Sequence, residues 1–126
     1  VVAAGGVRLR ALHTPGHLGS HLCLDSGEWV LTGDHVMGWS TSVVAPPEGD
    51  MGDYLASLRL LIALGPRRYL PGHGDPVEDG PARARALLAH REGRERAVLG
   101  ALGGGAAGAR AVAEALYGAL PPPVME

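Results

Sequence analysis

The stretch "LHTPGHLGSH", residues 12–21, places three histidines around a Pro-Gly corner. The residues before it, Val7 to His13, alternate apolar and polar side chains, which predicts a half-buried β-strand. Pro15 and Gly16 then end that strand. Imidazole groups this dense at a strand end form either a histidine-rich turn or one wall of a metal site. The rest of the chain has to decide between the two.

Composition sets the outer limits on the class of protein. The 126 residues suffice for one modest domain or for pieces of two. A content of 46% hydrophobic and 19% charged residues is that of a soluble globular protein, and a net charge of −2 argues against a generally basic nucleic-acid binder. The single cysteine, Cys23, allows no internal disulfide, which predicts a reducing cytoplasm. No apolar run approaches transmembrane length, so no membrane partner is expected.

The residue usage and the two ends suggest where the chain comes from. Lysine, asparagine and phenylalanine, whose codons are AT-rich, are absent, and every basic residue is arginine. This bias indicates a GC-rich genome and predicts a bacterial origin. The chain opens "VVAAGG" without a methionine and stops shortly after "PPPV". We therefore expect both ends to continue into a longer protein.

Periodicity along the chain predicts a mixture of strands and helices. Short apolar runs joined by Asp25-Ser26-Gly27 predict a β-hairpin, and the 3.6-residue spacing after it predicts helices. The residues 103–108, "GGGAAG", have the composition of a flexible joint. The predicted elements after the first strand are strands His21–Leu24, Trp29–Thr32 and Arg68–Leu70, and helices Asp53–Leu64, Pro81–Leu102 and Ala109–Leu120, the last ended by three prolines.

Three predicted strand ends carry metal-binding residue types. They are "HTPGH" (13–17), "TGDH" (32–35) and "PGHG" (71–74). A ligand at a strand tip is held by the sheet, and neighbouring glycines let the backbone come close to an ion. Histidine with aspartate suits zinc or another borderline divalent metal. One such corner alone is weak evidence, since Gly-Asp is common in turns. The set of three predicts a metal site.

In this order, the three corners resemble the second half of the metallo-β-lactamase-fold hydrolases, the superfamily of glyoxalase II and related endoribonucleases. The helix that starts near Pro81, with "HREGRE" at 90–95, resembles the β-lactamase-like protein 2 subgroup. The resemblance implies an α/β (α+β) fold, in which residues 1–102 are the C-terminal half of an αβ/βα sandwich. Residues 103–126 would then be the truncated start of a small winged-helix-like domain.

The resemblance also implies roles for individual residues. His17 matches a metal-binding histidine, Asp34 matches the carboxylate that bridges two ions, and His73 matches the histidine that completes the shell of the second ion. Asp34 is therefore also the candidate catalytic residue. His13 is expected to hydrogen-bond behind the ligands rather than to bind an ion. The expected cofactor is Zn²⁺, one or two ions in the full-length protein, with Mn²⁺ or Fe²⁺ as alternatives.

The other metal-binding and basic residue types have ordinary structural interpretations. His21 is expected to be a packing or surface residue, and His90 a solvated one. His35 should face away from the ion, because adjacent side chains on a strand point to opposite sides. Cys23 is expected to be a small core residue. Five arginines of the long helix are expected on an exposed, glutamate-balanced face, with contact to RNA phosphate as the alternative; they are Arg83, Arg85, Arg91, Arg94 and Arg96.

The family's first motif, H-x-H-x-D-H, does not occur in the chain. The chain is therefore expected to be a C-terminal fragment of a hydrolase and to have no catalytic activity by itself. The whole hydrolase is expected to act on an RNA phosphodiester, an ester or a thioester. There a divalent ion would lower the pKa of bound water and polarise the scissile group. A half-sandwich would also leave an apolar sheet face open, which predicts self-association or binding to the missing N-terminal half.

Two other functions remain open at this point. The chain is a non-catalytic module that binds nucleic acid or a partner and keeps a relic metal site, or it is a structural half-domain that assembles with a complementary chain. Metal analysis separates the hydrolase from both, and a salt-dependent RNA-binding assay tests the module.

Overall fold

The computed structural model describes residues 1–119. Five strands and three helices follow one another along the chain: β1 (Val2–Ala4), β2 (Val7–His13), β3 (Leu22–Asp25), β4 (Trp29–Gly33), α1 (Met51–Ala63), β5 (Arg68–Pro71), α2 (Gly80–Gly103) and α3 (Ala109–Tyr117). The chain divides into two compact units, one of residues Val1–Ala89 and one that begins at His90. The candidate site residues all lie in the first.

The five strands form one sheet in the order β1-β2-β3-β4-β5. The pairs β2–β3 and β3–β4 are antiparallel, and β4–β5 is parallel. Strands β2, β4 and β5 therefore run in the same direction and end at the same edge of the sheet. This topology brings the three predicted corners, each of which follows one of these strands, to a common edge.

The first strand was not predicted from the sequence. Its residues pair with the start of β2, with Ala4 opposite Val7, so that Gly5 and Gly6 form a two-residue hairpin loop. Both glycines have positive φ, 55° and 81°. A type I′ turn requires such angles, and Gly-Gly between two strand-like runs is a recognised signal for it. The signal was present in "VVAAGG".

One face of the sheet supplies half of the core. Val30 and Tyr69 lie opposite each other on β4 and β5, and both are fully buried. Cys23 is fully buried in the same cluster, which confirms its prediction as a core residue. Burial raises the pKa of its thiol to about 11. The helices complete this core with Tyr54, Leu58 and Leu61 from α1, and Ala84 and Leu87 from α2.

Helix α1 begins two residues before the predicted start. The Asp50 side chain accepts a hydrogen bond from the Asp53 backbone N–H at 2.9 Å. This N-cap satisfies one of the free donors of the first turn, and so it extends the helix back to Met51. The helix ends before Gly65, whose φ of 78° a side chain would disfavour, as the sequence predicted.

Asp25 was expected to be a turn residue, but it ends β3 and is 5% exposed. Its carboxylate accepts hydrogen bonds from Arg67 Nε at 3.0 Å and Arg10 at 2.8 Å, and also from the Gly27 backbone N–H. Burial raises the pKa of Asp25, but these donors outweigh it and hold the pKa below its usual value. The buried charge is thus compensated and ties β2, β3 and the start of β5 together.

The opposite face of the sheet is apolar and open among the described residues. Register places Ala11, Leu24, Leu31 and Leu70 in one row across four strands. Leu31 is 37% exposed, although it lies on a central strand. The predicted face ran through Val7 to Ala11, and this was partly wrong, because Leu9 between them is 8% exposed. The open row lies further into the sheet.

We propose that this row mediates association with a second copy or a complementary chain. Leu31→Asp places a charge in the middle of the row, and we expect it to lower the association of the 126-residue chain at a given concentration. Sedimentation velocity measures this. Leu60→Asp is the matched control, because Leu60 is equally exposed at 39% but lies on α1. A wild-type chain that stays monomeric at all accessible concentrations would contradict association with a second copy through this row.

The second unit consists of the later part of α2 followed by α3. The Arg94 guanidinium lies over the Tyr117 ring, 4.5 Å from its centroid, and Arg110 pairs with Glu114 at 2.9 Å along α3. His90 is exposed, as predicted. Helix α3 ends at Tyr117, earlier than predicted, and Leu120 and the three prolines lie outside the described residues. That residues 103–126 start a winged-helix-like domain stays a prediction.

Among residues 1–119, no helix combines the length and the apolar character needed to cross a membrane.

Candidate metal centre

The backbone brings the second and third corners into direct contact. The N–H of Gly72 donates to the carbonyl of Gly33 at 2.9 Å, just beyond the paired parallel strands. Gly33 has a φ of 51°, so the chain turns sharply as β4 ends. A Cβ on Gly72 would lie 2.9 Å from Asp34 Oδ1. The two glycines therefore let Asp34 and His73 face each other across this contact.

Asp34 and His73 are arranged as two ligands of one ion would be. His73 Nε2 lies 3.6 Å from Asp34 Oδ1, which is longer than a hydrogen bond. Oδ1 is buried and has no hydrogen-bond partner among the described residues. Two bonds of about 2.0–2.1 Å at a tetrahedral angle separate ligand atoms by about 3.4 Å. The observed separation is close to that value, so the pair fits a shared divalent ion.

His17 is held with one ring nitrogen free. Its Nδ1 lies 2.6 Å from the carbonyl oxygen of Val43. A carbonyl only accepts hydrogen bonds, so Nδ1 carries the proton and Nε2 keeps its lone pair. Metal-binding histidines are commonly fixed in this way, by a hydrogen bond from the nitrogen that does not bind. His17 is thus prepared for a ligand role on the first corner.

His13 supports the first corner from its exposed side. Its Nε2 hydrogen-bonds to the carbonyl of Gly19 at 2.9 Å, and the Thr14 backbone N–H donates to the carbonyl of His21 at 3.0 Å. These bonds close the loop between β2 and β3. The bond from His13 stabilises the corner on which His17 lies, and its role behind a metal ligand stays a prediction.

His21 is a half-buried packing residue, as the sequence indicated, and its ring lies between those of His17 and His35. Its Nδ1 lies 2.9 Å from Thr14 Oγ1, which in turn donates to Cys23 Sγ at 3.2 Å. Because Thr14 has one hydroxyl proton and gives it to sulfur, His21 Nδ1 is the donor and Nε2 is unprotonated. Nε2 lies against Gly33, where a Cβ would be only 2.9 Å away. Burial, with the neighbouring His17, lowers the pKa of His21 despite the opposing effect of Asp34.

His35 is buried against the Tyr54 ring, with 4.6 Å between the ring centroids, and its predicted orientation away from an ion stays a prediction. Strand β4 ends at Gly33, so Asp34 and His35 lie in a turn where strand alternation no longer applies. The His35 ring is fully buried, 5.3 Å from the His21 ring, which is itself 6.3 Å from the ring of His17. Burial, with His21 and His17 nearby, lowers the pKa of His35 to about 3. The ring is neutral at physiological pH.

The structure therefore brings the predicted residues together in two groups. Asp34 and His73 form a close pair, and His17 begins a row of three imidazoles with His21 and His35. Across residues 1–119, no three histidine, cysteine or acidic side chains already converge on a single ion position. The metal-ligand roles of His17, Asp34 and His73 stay predictions.

The segment between β4 and α1, residues 34–50, is called here the β4–α1 loop. Ser42 Oγ lies 2.5 Å from the Asp34 carbonyl and 2.8 Å from the His35 carbonyl. The Arg83 guanidinium donates to the carbonyls of Met37 and Ser40, at 2.8 Å each. Arg83 is therefore not on a solvated, glutamate-balanced face, and its prediction was wrong. Sequence reasoning had no signal for a contact across more than 40 residues.

The three corners together have acidic and apolar surroundings. Segments 13–21, 34–50 and 71–79 contain no lysine or arginine. Their acidic residues are Asp34, Glu48, Asp50, Asp75, Glu78 and Asp79. On the β4–α1 loop, Trp39 is 71% exposed and Val43 is 70% exposed. The Trp39 ring packs against Gly74, next to His73, where a Cβ would lie 2.6 Å from the indole.

A model of the metallo-beta-lactamase superfamily matches residues 3–73 of the chain. The lactamase-like protein nscB of Trichophyton verrucosum is 36% identical over 142 residues, covering 100% of this chain and 48% of that protein. The lactamase-like protein adaB of Aspergillus niger is 36% identical over 132 residues, covering 92% of this chain and 40% of that protein. The chain spans less than half the length of these fungal relatives, and the bacterial origin stays a prediction.

Solved structures show the same fold. The metallo-beta-lactamase family protein TTHA1429 from Thermus thermophilus superposes with a TM-score of 0.77 at 32% identity, over 92% of this chain and 40% of that one. TTHA1623, solved in a di-iron-bound form, gives a TM-score of 0.54 at 34% identity. The match covers 60% of this chain and 40% of TTHA1623. The predicted α/β fold is confirmed. The narrower resemblance to the glyoxalase II-like and β-lactamase-like protein 2 subgroup stays a prediction.

Proposed function

Because the chain belongs to the metallo-beta-lactamase superfamily, we propose that His17, Asp34 and His73 are part of the centre of a metal-dependent hydrolase. In such a centre a divalent ion supplies activated water and polarises the scissile group. Asp34 would hold the ion through its carboxylate, His73 would face it from the neighbouring corner, and His17 would contribute Nε2. Asp34 is the proposed catalytic residue, because its carboxylate would serve both ions of a two-metal site.

The observation that carries this proposal is the buried, unpaired Oδ1 of Asp34, 3.6 Å from His73 Nε2. Leaving a carboxylate oxygen buried without a partner is costly, and a cation is the partner that best offsets this cost. Two imidazoles and a carboxylate suit zinc and iron. The di-iron form of TTHA1623 supports iron as well as the zinc that the sequence suggested.

For the substrate class, we propose an ester or thioester with an apolar acyl group rather than RNA. The corner segments 13–21, 34–50 and 71–79 contain six acidic residues and no basic residue of their own. Arg83 binds the β4–α1 loop and Arg68 pairs with Glu78, so the acidic residues still outnumber the arginines placed on these segments, which disfavours a phosphodiester backbone. The exposed Trp39 and Val43 offer apolar surface beside the ligands instead. A non-catalytic module with a relic metal site is the alternative, and it predicts neither metal uptake nor turnover in any form of the protein.

We expect the 126-residue chain to bind zinc or iron weakly and to hydrolyse esters and thioesters only at background rates. His17, Asp34 and His73 are divided between two ions by the family resemblance, so neither ion has a full shell from this chain. Metal analysis and turnover of an aryl ester, a thioester and an RNA oligonucleotide measure this. Turnover should appear when a segment bearing H-x-H-x-D-H is joined ahead of Val1.

These measurements test the ligand count, the substrate class and the choice between a hydrolase and a binding module separately. Metal-dependent turnover by the 126-residue chain alone would contradict the ligand count. In the joined protein, cleavage of RNA without cleavage of the ester and thioester would overturn the proposed substrate class. A joined protein that shows neither metal uptake nor turnover of any substrate would favour the binding module.

A further inference from the structure

Arg83 makes the longest connection in sequence to the β4–α1 loop. It lies in the first turns of α2, and its Nε and one terminal nitrogen donate to the carbonyls of Met37 and Ser40, both at 2.8 Å. The side chain is half-buried. The planar guanidinium holds these donors in a fixed geometry, so both bonds restrain the loop at two points three residues apart.

The restrained segment, Met37 to Ser40, follows Asp34 and leads into the residues that contact the Asp34 backbone and His17. Two residues after Ser40, the Ser42 hydroxyl lies 2.5 Å from the Asp34 carbonyl, so the loop folds back on the second corner. One residue further on, the Val43 carbonyl accepts the hydrogen bond from His17 Nδ1. The same stretch therefore sets the backbone at Asp34 and the ring orientation of His17. Arg83 fixes the part of the loop that leads into both contacts.

We propose that Arg83 is a positioning residue for the metal centre, which holds the β4–α1 loop so that His17 and Asp34 are presented to the ion together. This inference rests on the proposed metal site. Arg83 contacts no ligand side chain, and its effect passes through the carbonyls of Met37 and Ser40 to Ser42 and Val43. A residue with this role should change metal affinity as well as stability, because losing an outer partner of a metal ligand typically costs about 10–100-fold in affinity.

Trp39 provides a direct report on the loop. It lies between the two carbonyls that Arg83 binds, and its indole packs against Gly74. The chain has one other tryptophan, Trp29 on β4, which Trp29→Phe removes. In this background the fluorescence anisotropy and emission maximum of Trp39 report on the order of the loop, with or without metal.

The test compares Arg83→Ala, Arg83→Lys and Arg85→Ala in the 126-residue Trp29→Phe chain. Zinc affinity is measured by competition with a chromophoric chelator, and thermal unfolding is recorded alongside. We expect Arg83→Ala to weaken zinc binding about 10-fold and to lower the Trp39 anisotropy. Arg83→Lys should recover part of both, because a single ammonium can replace one of the two hydrogen bonds. Arg85→Ala removes the same charge from an exposed position two residues on and should change neither.

The outcomes separate this inference from the function on which it rests. If Arg83→Ala lowers the thermal midpoint but binds zinc with wild-type affinity, Arg83 is only a structural residue and the inference is wrong. If Arg85→Ala weakens zinc binding equally, the effect is one of net charge and the inference is equally wrong. If the unsubstituted chain binds no zinc or iron, the metal site itself is overturned, and the inference with it.

Discussion

Replacing Asp34 by alanine should weaken zinc binding more than any other substitution in the chain. Asp34 supplies the negative charge of the candidate centre, and its Oδ1 is already buried 3.6 Å from His73 Nε2. Losing an outer partner of a ligand costs about 10–100-fold in affinity, so we expect losing this ligand to cost at least about 100-fold. Chelator competition with Zn²⁺ measures the change. Asp75→Ala is the control, because it removes an exposed carboxylate near the same corner.

Asp34→Ala should have little effect on the thermal stability of the metal-free protein. Asp34 Oδ1 is buried without a hydrogen bond, which costs free energy, but the side chain as a whole is 38% exposed and Oδ1 lies 3.6 Å from His73 Nε2. Its removal should therefore leave the metal-free thermal midpoint nearly unchanged. The rise in midpoint that zinc causes in the wild-type chain should disappear. A lowered metal-free midpoint with full zinc affinity would show that Asp34 has a structural role and is not a ligand.

Local patterns were sufficient to predict most of the secondary structure. Strand β2 has the predicted bounds, and β4 and β5 each run one residue further than predicted. Helix α1 was placed to within two residues because its apolar spacing is regular and Gly65 ends it. These signals lie within a few residues of the elements they specify, so a single sequence contains them.

The candidate site was predictable only where its signal is local. His17, Asp34 and His73 were indicated because each follows a strand and lies among glycines, which a linear pattern shows. The position of Arg83 was missed because it depends on tertiary contacts. Arg83 reaches a loop more than 40 residues away, and no periodicity in the sequence records such a contact.

The first corner, residues 13–17, is packed directly on helix α1. Ser57 Oγ donates to the carbonyl of Pro15 at 2.7 Å, and the Asp50 N–H donates to the carbonyl of Gly16 at 2.9 Å. Between these bonds the backbones nearly touch, since a Cβ on Gly16 would lie 2.3 Å from the Cα of Tyr54. Tyr54 is fully buried and donates from its hydroxyl to the carbonyl of His35 at 3.1 Å. Gly16 thus sets the distance between helix and corner.

Gly16→Ala should therefore be the most destabilising single-methyl change in the first corner. The new Cβ would meet backbone, which cannot rotate away, and the φ of 135° at Gly16 disfavours any side chain. Overpacking and backbone strain each cost about 1–3 kcal/mol, so we expect a loss of about 3–5 kcal/mol in the free energy of unfolding, measured by urea denaturation. Gly19→Ala adds the same methyl where no atom lies within 4 Å and should change stability by less than about 0.5 kcal/mol. Equal losses in the two variants would mean that the close approach of α1 does not hold this corner. A loss only for Gly16→Ala, with weaker zinc binding by the remaining folded protein, would show that α1 also sets the position of the metal ligands.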